Sequence, residues 1–180
     1  NSIEHWAFAL AWAIGGIIVA RVLYKVLGSL ARKITSKTRS NLDDLIVDKL
    51  EEPLVLALTI MALRTGYGEL TFGDQVDHFV DAAMIVAYTL NVTWGVARLL
   101  DAIIMNFFLP FTLSKESAMM DQFGPILRKG LRSAVWALGV IMALKNAGQD
   151  VGALLAGVGI GGLALAMAAK DFVSNIFGGI

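Results

Sequence analysis

The sequence predicts an all-α membrane protein of about five transmembrane helices, and three observations lead to this class. Hydrophobic residues make up 57% of the 180-residue chain, whereas soluble domains hold about 45–50% apolar residues. The mean hydropathy is +0.68. Long apolar runs alternate with short polar stretches, and the alternation of apolar and polar residues that is typical of strands is missing.

We predict five membrane-spanning segments, since a spanning helix needs about 20 mainly apolar residues. The first covers 6–30. The second begins near residue 42 and has the shortest fully apolar run, at 53–63. The remaining three are 79–100, which continues past Asp101 towards Pro110, then 131–144, and finally 151–169.

The charges of the loops predict the orientation of these segments. Basic residues cluster after the first segment and between the third and fourth, whereas the stretch 67–78 has three acids and no lysine or arginine. Cytoplasmic loops carry the excess of Lys and Arg. We therefore expect a multi-pass protein of the cell (inner) membrane, with its N-terminus outside and its C-terminus in the cytoplasm. The basic residues are Arg21, Lys25, Arg32, Lys33, Lys37 and Arg39 in the first group and Lys115, Arg128, Lys129 and Arg132 in the second.

Composition argues against several other functions. The 15 basic and 15 acidic residues balance, so no basic field predicts a nucleic-acid partner. The chain has no cysteine, and its two histidines, His5 and His78, stand far apart, so we expect no metal site and no cofactor. The apolar segments hold almost no nucleophile or base, which argues against an enzyme. Arg98 and Asp101 lie three positions apart on one helical face and predict a local ion pair.

The last apolar segment carries the most informative pattern. Between Gly152 and Ala169 it has five glycines and six alanines. At 100° per residue these small residues form two stripes, and bulkier residues lie between them. The first stripe is Ala153, Gly157, Gly161, Ala164 and Ala168, and the second is Gly159, Gly162, Ala166 and Ala169. The residues between the stripes are Ile160, Leu163, Met167 and Lys170.

Two flanking stripes predict a ring of identical helices, because small residues let helix backbones approach closely. An ordinary helix pair would need only one stripe. In a ring, Leu163 and Met167 would form two apolar collars, which block ions by dewetting. Lys170 would add a ring of positive charge, or its side chain would instead extend to the lipid headgroups. A bend near Lys170 and Asp171 would reconcile this helix with the amphipathic residues that follow, although no glycine or proline stands there.

The run LKNAGQDVGALLAGVGIGGLALAMAAKDFVSNIFGGI, residues 144–180, resembles the pore-helix region of the small-conductance mechanosensitive (MscS-like) channels. The NAGQDV turn, the GIGGLAL core and the KDFVSNIFGGI tail match in order and spacing. The preceding helix, with PILRKGLRSAVWALGVIMAL, also fits. The first three segments match only in number and orientation, and they resemble the five-helix branch of the family.

The resemblance implies a homoheptamer that membrane tension opens, releasing ions and small solutes on hypo-osmotic shock. It implies that Leu163 and Met167 form the pore seal and that Ala156, Gly159 and Lys170 also face the pore. Asp171 stands where the best-known member has a glycine at the bend. Residues 1–146 would then be tension-sensing helices in contact with lipid, and 147–180 the pore helix. A cytoplasmic domain is expected beyond residue 180.

Two other functions remain open from the sequence. A secondary transporter would show repeated halves and interrupted helices with polar residues near the midplane, and neither is clear here. An oligomeric membrane anchor would have the same small-residue packing without a response to tension.

Overall fold

The computed structural model describes the backbone of residues 2–35, 41–108 and 118–178, and within these ranges the chain is helical with no strand. This confirms the predicted all-α class, and five α-helices match the five predicted segments. Four residues that support the predicted spans and orientation lie outside the described residues: Lys37, Arg39, Pro110 and Lys115. The helices are α1 (Ile3–Thr35), α2 (Asn41–Tyr67), α3 (Asp74–Ile103), α4 (Ala118–Asn146) and α5 (Gly152–Gly178), with a π-helical segment (Ile104–Phe108) after α3.

Three stretches of the described helices are long and apolar enough to cross a membrane. They are Ile3–Val26, Asp74–Asn106 and Gly152–Lys170. The chain is therefore a multi-pass membrane protein by length and composition. Helices α2 and α4 are long enough, but their first halves carry many charged residues, so the second and fourth spans remain predictions.

The helices α1 to α4 pack in chain order, α1 on α2, α2 on α3 and α3 on α4. The positions buried between them are mostly small, and no large side chain among the described residues is fully buried. Small residues at helix crossings are typical of membrane proteins, in which large apolar side chains face lipid. The buried alanines are Ala9, Ala20, Ala97, Ala102 and Ala143.

Glycines mark the closest crossings between consecutive helices of α1 to α4, which are called the bundle below. A Cβ atom added at Gly95 would lie 3.2 Å from Cβ of Pro53, and one at Gly66 would lie 2.8 Å from the carbonyl oxygen of Ala9. Two further glycines approach a neighbouring helix even more closely. Gly16 lies against Ala62, and Gly139 lies against Thr93.

Ion pairs join the helices at the end of the bundle away from the α2–α3 loop. Arg98 donates to Glu52 of α2, and Asp101 accepts from Arg128 Nε at 2.9 Å and from Arg132 Nη1 at 3.2 Å, both on α4. The predicted local pair between Arg98 and Asp101 is therefore wrong. Because α3 packs between α2 and α4, each charge meets an opposite charge on a neighbouring helix.

Aromatic residues join the helices at the other end of the bundle, around the α2–α3 loop. Phe72 of this loop stacks on Tyr67 of α2, with ring centroids 5.6 Å apart, and meets the edge of Trp6 of α1 at 5.9 Å. The hydroxyl of Tyr67 donates to Asp77 Oδ1 of α3 at 2.6 Å. This hydrogen bond to a carboxylate raises the pKa of Tyr67 to about 12. The cluster thus connects three helices.

Candidate pore-lining helix

A tight turn separates α5 from the bundle of α1 to α4. Gly148 has a positive φ of 82°, and its N–H donates to the carbonyl of Lys145 while that of Gln149 donates to Leu144, both at 3.0 Å. This is the glycine-terminated end that closes many helices. Asp150 Oδ1 then accepts the N–H of Gly152 at 2.8 Å. The NAGQDV turn that the sequence singled out therefore ends α4 and begins α5 within six residues.

Helix α5 exposes its whole apolar length. Every side chain from residue 152 to residue 170 is exposed, although the stretch is among the most apolar of the chain. Leu163 is 69% exposed and Met167 is 71% exposed. A helix that is apolar on all sides is stable only where lipid or other protein surrounds it.

The glycines of α5 also have open surroundings. A Cβ atom added at Gly157, Gly159, Gly161 or Gly162 would meet no atom within 4 Å. The two small-residue stripes are therefore not used to pack α5 against the rest of the described chain. They remain available for contacts with other molecules.

The structure places the predicted pore residues along one helix. Ile160, Leu163, Met167 and Lys170 follow one another at spacings of three and four within α5, so they share a face. Ala156 and Gly159 lie on the preceding turns of the same helix. A single chain does not bring the corresponding residues of several copies together, so the seal and the pore lining remain predictions.

The backbone of α5 is helical through Lys170 and Asp171 and continues to Gly178. The bend at this position also remains a prediction. Ser174 and Asn175, two of the polar residues that suggested it, are exposed.

The sequence reasoning missed the charged residues that join α3 to α4. Asp101 holds two arginines of α4, and its side chain is only 16% exposed. The hydrogen bond to Asp101 raises the pKa of Arg128 above its ordinary value. The available signal was an acid near the end of one apolar helix followed by two basic residues, four positions apart, just before the apolar half of the next helix.

Taken together, the fold defines the chain as a multi-pass α-helical membrane protein whose last apolar helix packs outside its own bundle. Residues 129–170 match a family model described as mechanosensitive ion channel, transmembrane helices 2/3. On this chain, that stretch covers most of α4 and the apolar part of α5. Over this stretch the chain is thus similar to the mechanosensitive ion channels, which confirms the resemblance seen in the sequence.

Similar proteins extend the relationship to the whole chain. The small-conductance mechanosensitive channel MscMJ of Methanocaldococcus jannaschii is 29% identical over 180 residues, which is all of this chain and 51% of the relative. The large-conductance mechanosensitive channel MscMJLR of the same organism is also 29% identical, over 182 residues and 50% of its length. The uncharacterized MscS family protein YhdY of Bacillus subtilis is 29% identical over 183 residues, 48% of its length.

This chain therefore spans about half the length of these relatives. No solved structure matches it. Two of the relatives are named as channels, which is consistent with the expectation that the chain is not an enzyme.

Proposed function

We propose that the full-length protein is a mechanosensitive ion channel and that α5 from several copies lines its pore. The observation that carries this proposal is the exposure of α5. An apolar helix of 19 residues, Gly152–Lys170, lies outside the bundle of its own chain, and four of its glycines have no neighbour within 4 Å.

The two stripes favour copies of the same helix as the neighbours of α5. A helix that contacts only lipid gains no stability from glycine, whereas glycine and alanine let two helix backbones approach closely. A stripe on each side gives each copy two neighbours, and a rotation that closes on itself then produces a ring. By resemblance to the family, we propose a homoheptamer.

In such a ring the bulkier face between the stripes points towards the axis. Leu163 and Met167 would form the seal, because a narrow apolar constriction excludes water and ions. Ala156, Gly159, Ile160 and Lys170 would line the remainder of the pore. A bend near Lys170 and Asp171 would direct the end of α5 away from the axis.

The bundle of α1 to α4 would transmit the tension of the membrane. Its helices pack in sequence and are joined at both ends, by the ion pairs of Asp101 and by the aromatic contacts of Phe72. Lipid contacts would therefore move these helices together. We propose that the chain lies in the cell (inner) membrane with its N-terminus outside, and that opening releases ions and small solutes on hypo-osmotic shock.

Patch clamp of the full-length protein tests the proposal. The protein is expressed in membranes that lack their own mechanosensitive channels, and suction is applied in steps. We expect discrete current steps at a reproducible tension. Silence up to membrane rupture, in patches shown to contain the protein, would contradict the proposal and would favour an oligomeric anchor or a secondary transporter.

A further inference from the structure

The α4–α5 turn (residues 147–151) is where the bundle holds the start of α5. Val151, directly before α5, is only 5% exposed, whereas every side chain from residue 152 to residue 170 is exposed. Helix α5 packs against no other helix within the described ranges. A movement of the bundle therefore reaches α5 through this turn.

The hydrogen bonds of the turn join it closely to the end of α4. Each N–H from residue 147 to residue 149 donates to a carbonyl between residues 143 and 145, at 3.0 Å. On the other side, Asp150 Oδ1 accepts the N–H of Gly152 at 2.8 Å. These bonds restrict the backbone angles of the turn, so its orientation follows that of the end of α4.

A hydrogen bond between side chains connects the end of α4 to α3. Asn146, the last residue of α4, donates from Nδ2 to Thr89 Oγ1 of α3 at 3.2 Å. The Thr89 hydroxyl itself donates to the carbonyl of Ile85 at 2.8 Å. A hydroxyl carries one donor and two acceptor lone pairs, so Thr89 makes both bonds at once. It presents a fixed acceptor to the residue that precedes the turn.

This bond differs in kind from the other contacts near the end of α4. Gly139 lies against Thr93 of α3, and Ile141 and Ala143 are buried. Apolar contacts are non-directional, and they persist when one helix slides a little along another. A hydrogen bond weakens steeply when its angle or length changes. The bond of Asn146 therefore fixes the register of the turn against α3.

We propose that Thr89 is a positioning residue for the opening of the channel, because its hydroxyl makes the α4–α5 turn follow the movements of α3. This inference rests on the proposed function. Without the hydroxyl, α3 would move under tension while the turn, and with it the start of α5, lagged behind. A higher tension would then be needed to open the pore.

Patch clamp of the full-length protein with Thr89→Val tests this role, since valine replaces the hydroxyl by a methyl group of similar size. At the tension that opens half of the wild-type channels, we expect the ratio of open to closed channels to fall by about threefold or more, because one hydrogen bond is lost in each subunit. Thr89→Ser keeps the hydroxyl and should restore the wild-type ratio. A serine variant that behaves like the valine variant would overturn the proposal.

Thr59 of α2 provides the matched control. Its hydroxyl also donates to a carbonyl of its own helix, that of Val55 at 2.9 Å, but it bonds to no other helix among the described residues. Thr59→Val should leave the open ratio unchanged. An effect equal to that of Thr89→Val would show a general response to the loss of a hydroxyl and would overturn the proposal.

A double-mutant cycle identifies the partner of Thr89. Asn146→Ala should lower the open ratio as much as Thr89→Val does. The double variant should show no further loss, because the two residues act through one bond. Losses that add in the double variant would mean that Thr89 and Asn146 act separately, which contradicts the proposal.

A spin label in the turn tests the position of Thr89 without any current. The 180 residues contain no cysteine, so Gln149→Cys introduces a single exposed thiol into this region. We expect Thr89→Val, but not Thr59→Val, to increase the mobility of the label in the electron paramagnetic resonance spectrum. A wild-type protein without current would refute the channel, whereas identical spectra for the two valine variants would refute the hold of Thr89 on the turn.

Discussion

Gly139 in α4 and Gly161 in α5 both lie within apolar helices, yet their surroundings are opposite. A Cβ atom at Gly139 would overlap the side chain of Thr93 in α3, whereas one at Gly161 would meet nothing within 4 Å. Gly139 leaves space for helix α3 of the same chain, which a larger residue would not. Gly161 has no such partner, although a glycine costs about 1 kcal/mol relative to alanine within a helix.

This contrast extends to the two regions as a whole. In the bundle of α1 to α4, several glycines pack against a neighbouring helix and charged residues form ion pairs between helices. The small residues of helix α5 have no packing partner on another helix of the described chain. The bundle therefore depends on contacts within one chain, and α5 depends on contacts between chains or with lipid. Substitutions in the bundle should therefore change the stability of the single chain, whereas substitutions in α5 should change assembly or gating.

The largest effect is expected at Leu163. If this residue forms the seal, Leu163→Ser removes an apolar contact of about 2 kcal/mol from every copy in the ring. The closed state loses this amount in each subunit, so the channel should open at much lower tension and slow the growth of cells. The measurement is the tension threshold in patch clamp.

Leu165 provides the matched control for this substitution. It is 73% exposed, close to the 69% of Leu163, but two residues along the helix it faces the opposite side. Leu165→Ser should shift the threshold far less. Equal shifts for the two variants would contradict the assignment of Leu163 to the pore axis.

The next largest effect is expected from alanine substitutions at Gly139 and Gly161, the two glycines with opposite surroundings. Gly139→Ala forces a methyl group into Thr93 and should destabilise the bundle by about 1–3 kcal/mol. Gly161→Ala should not destabilise the single chain, since its methyl group has room and alanine favours the helix. The measurement is denaturant unfolding of the protein in micelles.

A larger residue at Gly161 should weaken assembly of the oligomer without changing the stability of the bundle. Gly161→Val should weaken ring assembly, measured by size-exclusion chromatography, while the bundle unfolds as before. A normal oligomer with normal gating in a variant that carries valine at both Gly161 and Gly162 would exclude the two-stripe packing.

Much of this contrast could be predicted from the sequence, but not all of it. The five helices follow from apolar length, and the two stripes of α5 follow from residue spacing alone. The partners of the bundle charges did not follow. Arg98 and Asp101 look like a local pair because the sequence shows only spacing along one helix. Their partners, Glu52 and Arg128, are 46 and 27 positions away, and only the packing order of the helices brings them close.

The sequence also does not show which helix packs against a given small-residue stripe. Gly139 and Gly161 are both flanked by apolar residues, and nothing local distinguishes a crossing within the chain from one between chains. The structure distinguishes them because Thr93 fills the space beside one glycine and no described residue approaches the other.

A moderate effect is expected from the charge that joins α3 to α4. Asp101→Asn removes the shared partner of Arg128 and Arg132. It should lower stability by about 1–2 kcal/mol, since the hydrogen bonds are charge-assisted but the arginines are partly exposed. Unfolding in micelles measures this loss. Arg132→Gln should cost less, because its contact is longer and its side chain more exposed than that of Arg128; the reverse order would contradict the geometry.

A smaller effect is expected at Lys170, which lies at the end of the apolar part of α5. If its charge faces the pore, Lys170→Gln should shift the reversal potential by several millivolts towards cation permeation in asymmetric salt. Lys170→Arg keeps the charge and should leave the reversal potential unchanged. An unaltered potential in both variants would place the side chain among the headgroups, where long cationic side chains extend to water.

The smallest effect concerns the aromatic end of the bundle. The pKa of Tyr67 is raised to about 12 by its hydrogen bond to Asp77, above the value of about 10 expected in an unfolded chain. The hydrogen bond therefore contributes its full stability below pH 10 and loses it as the pH rises through 12. Ultraviolet difference titration, with Tyr67→Phe as the reference, should show this tyrosine ionising near pH 12. Asp77→Asn should move the transition towards 10, and a transition that stays in place would contradict the carboxylate as its cause.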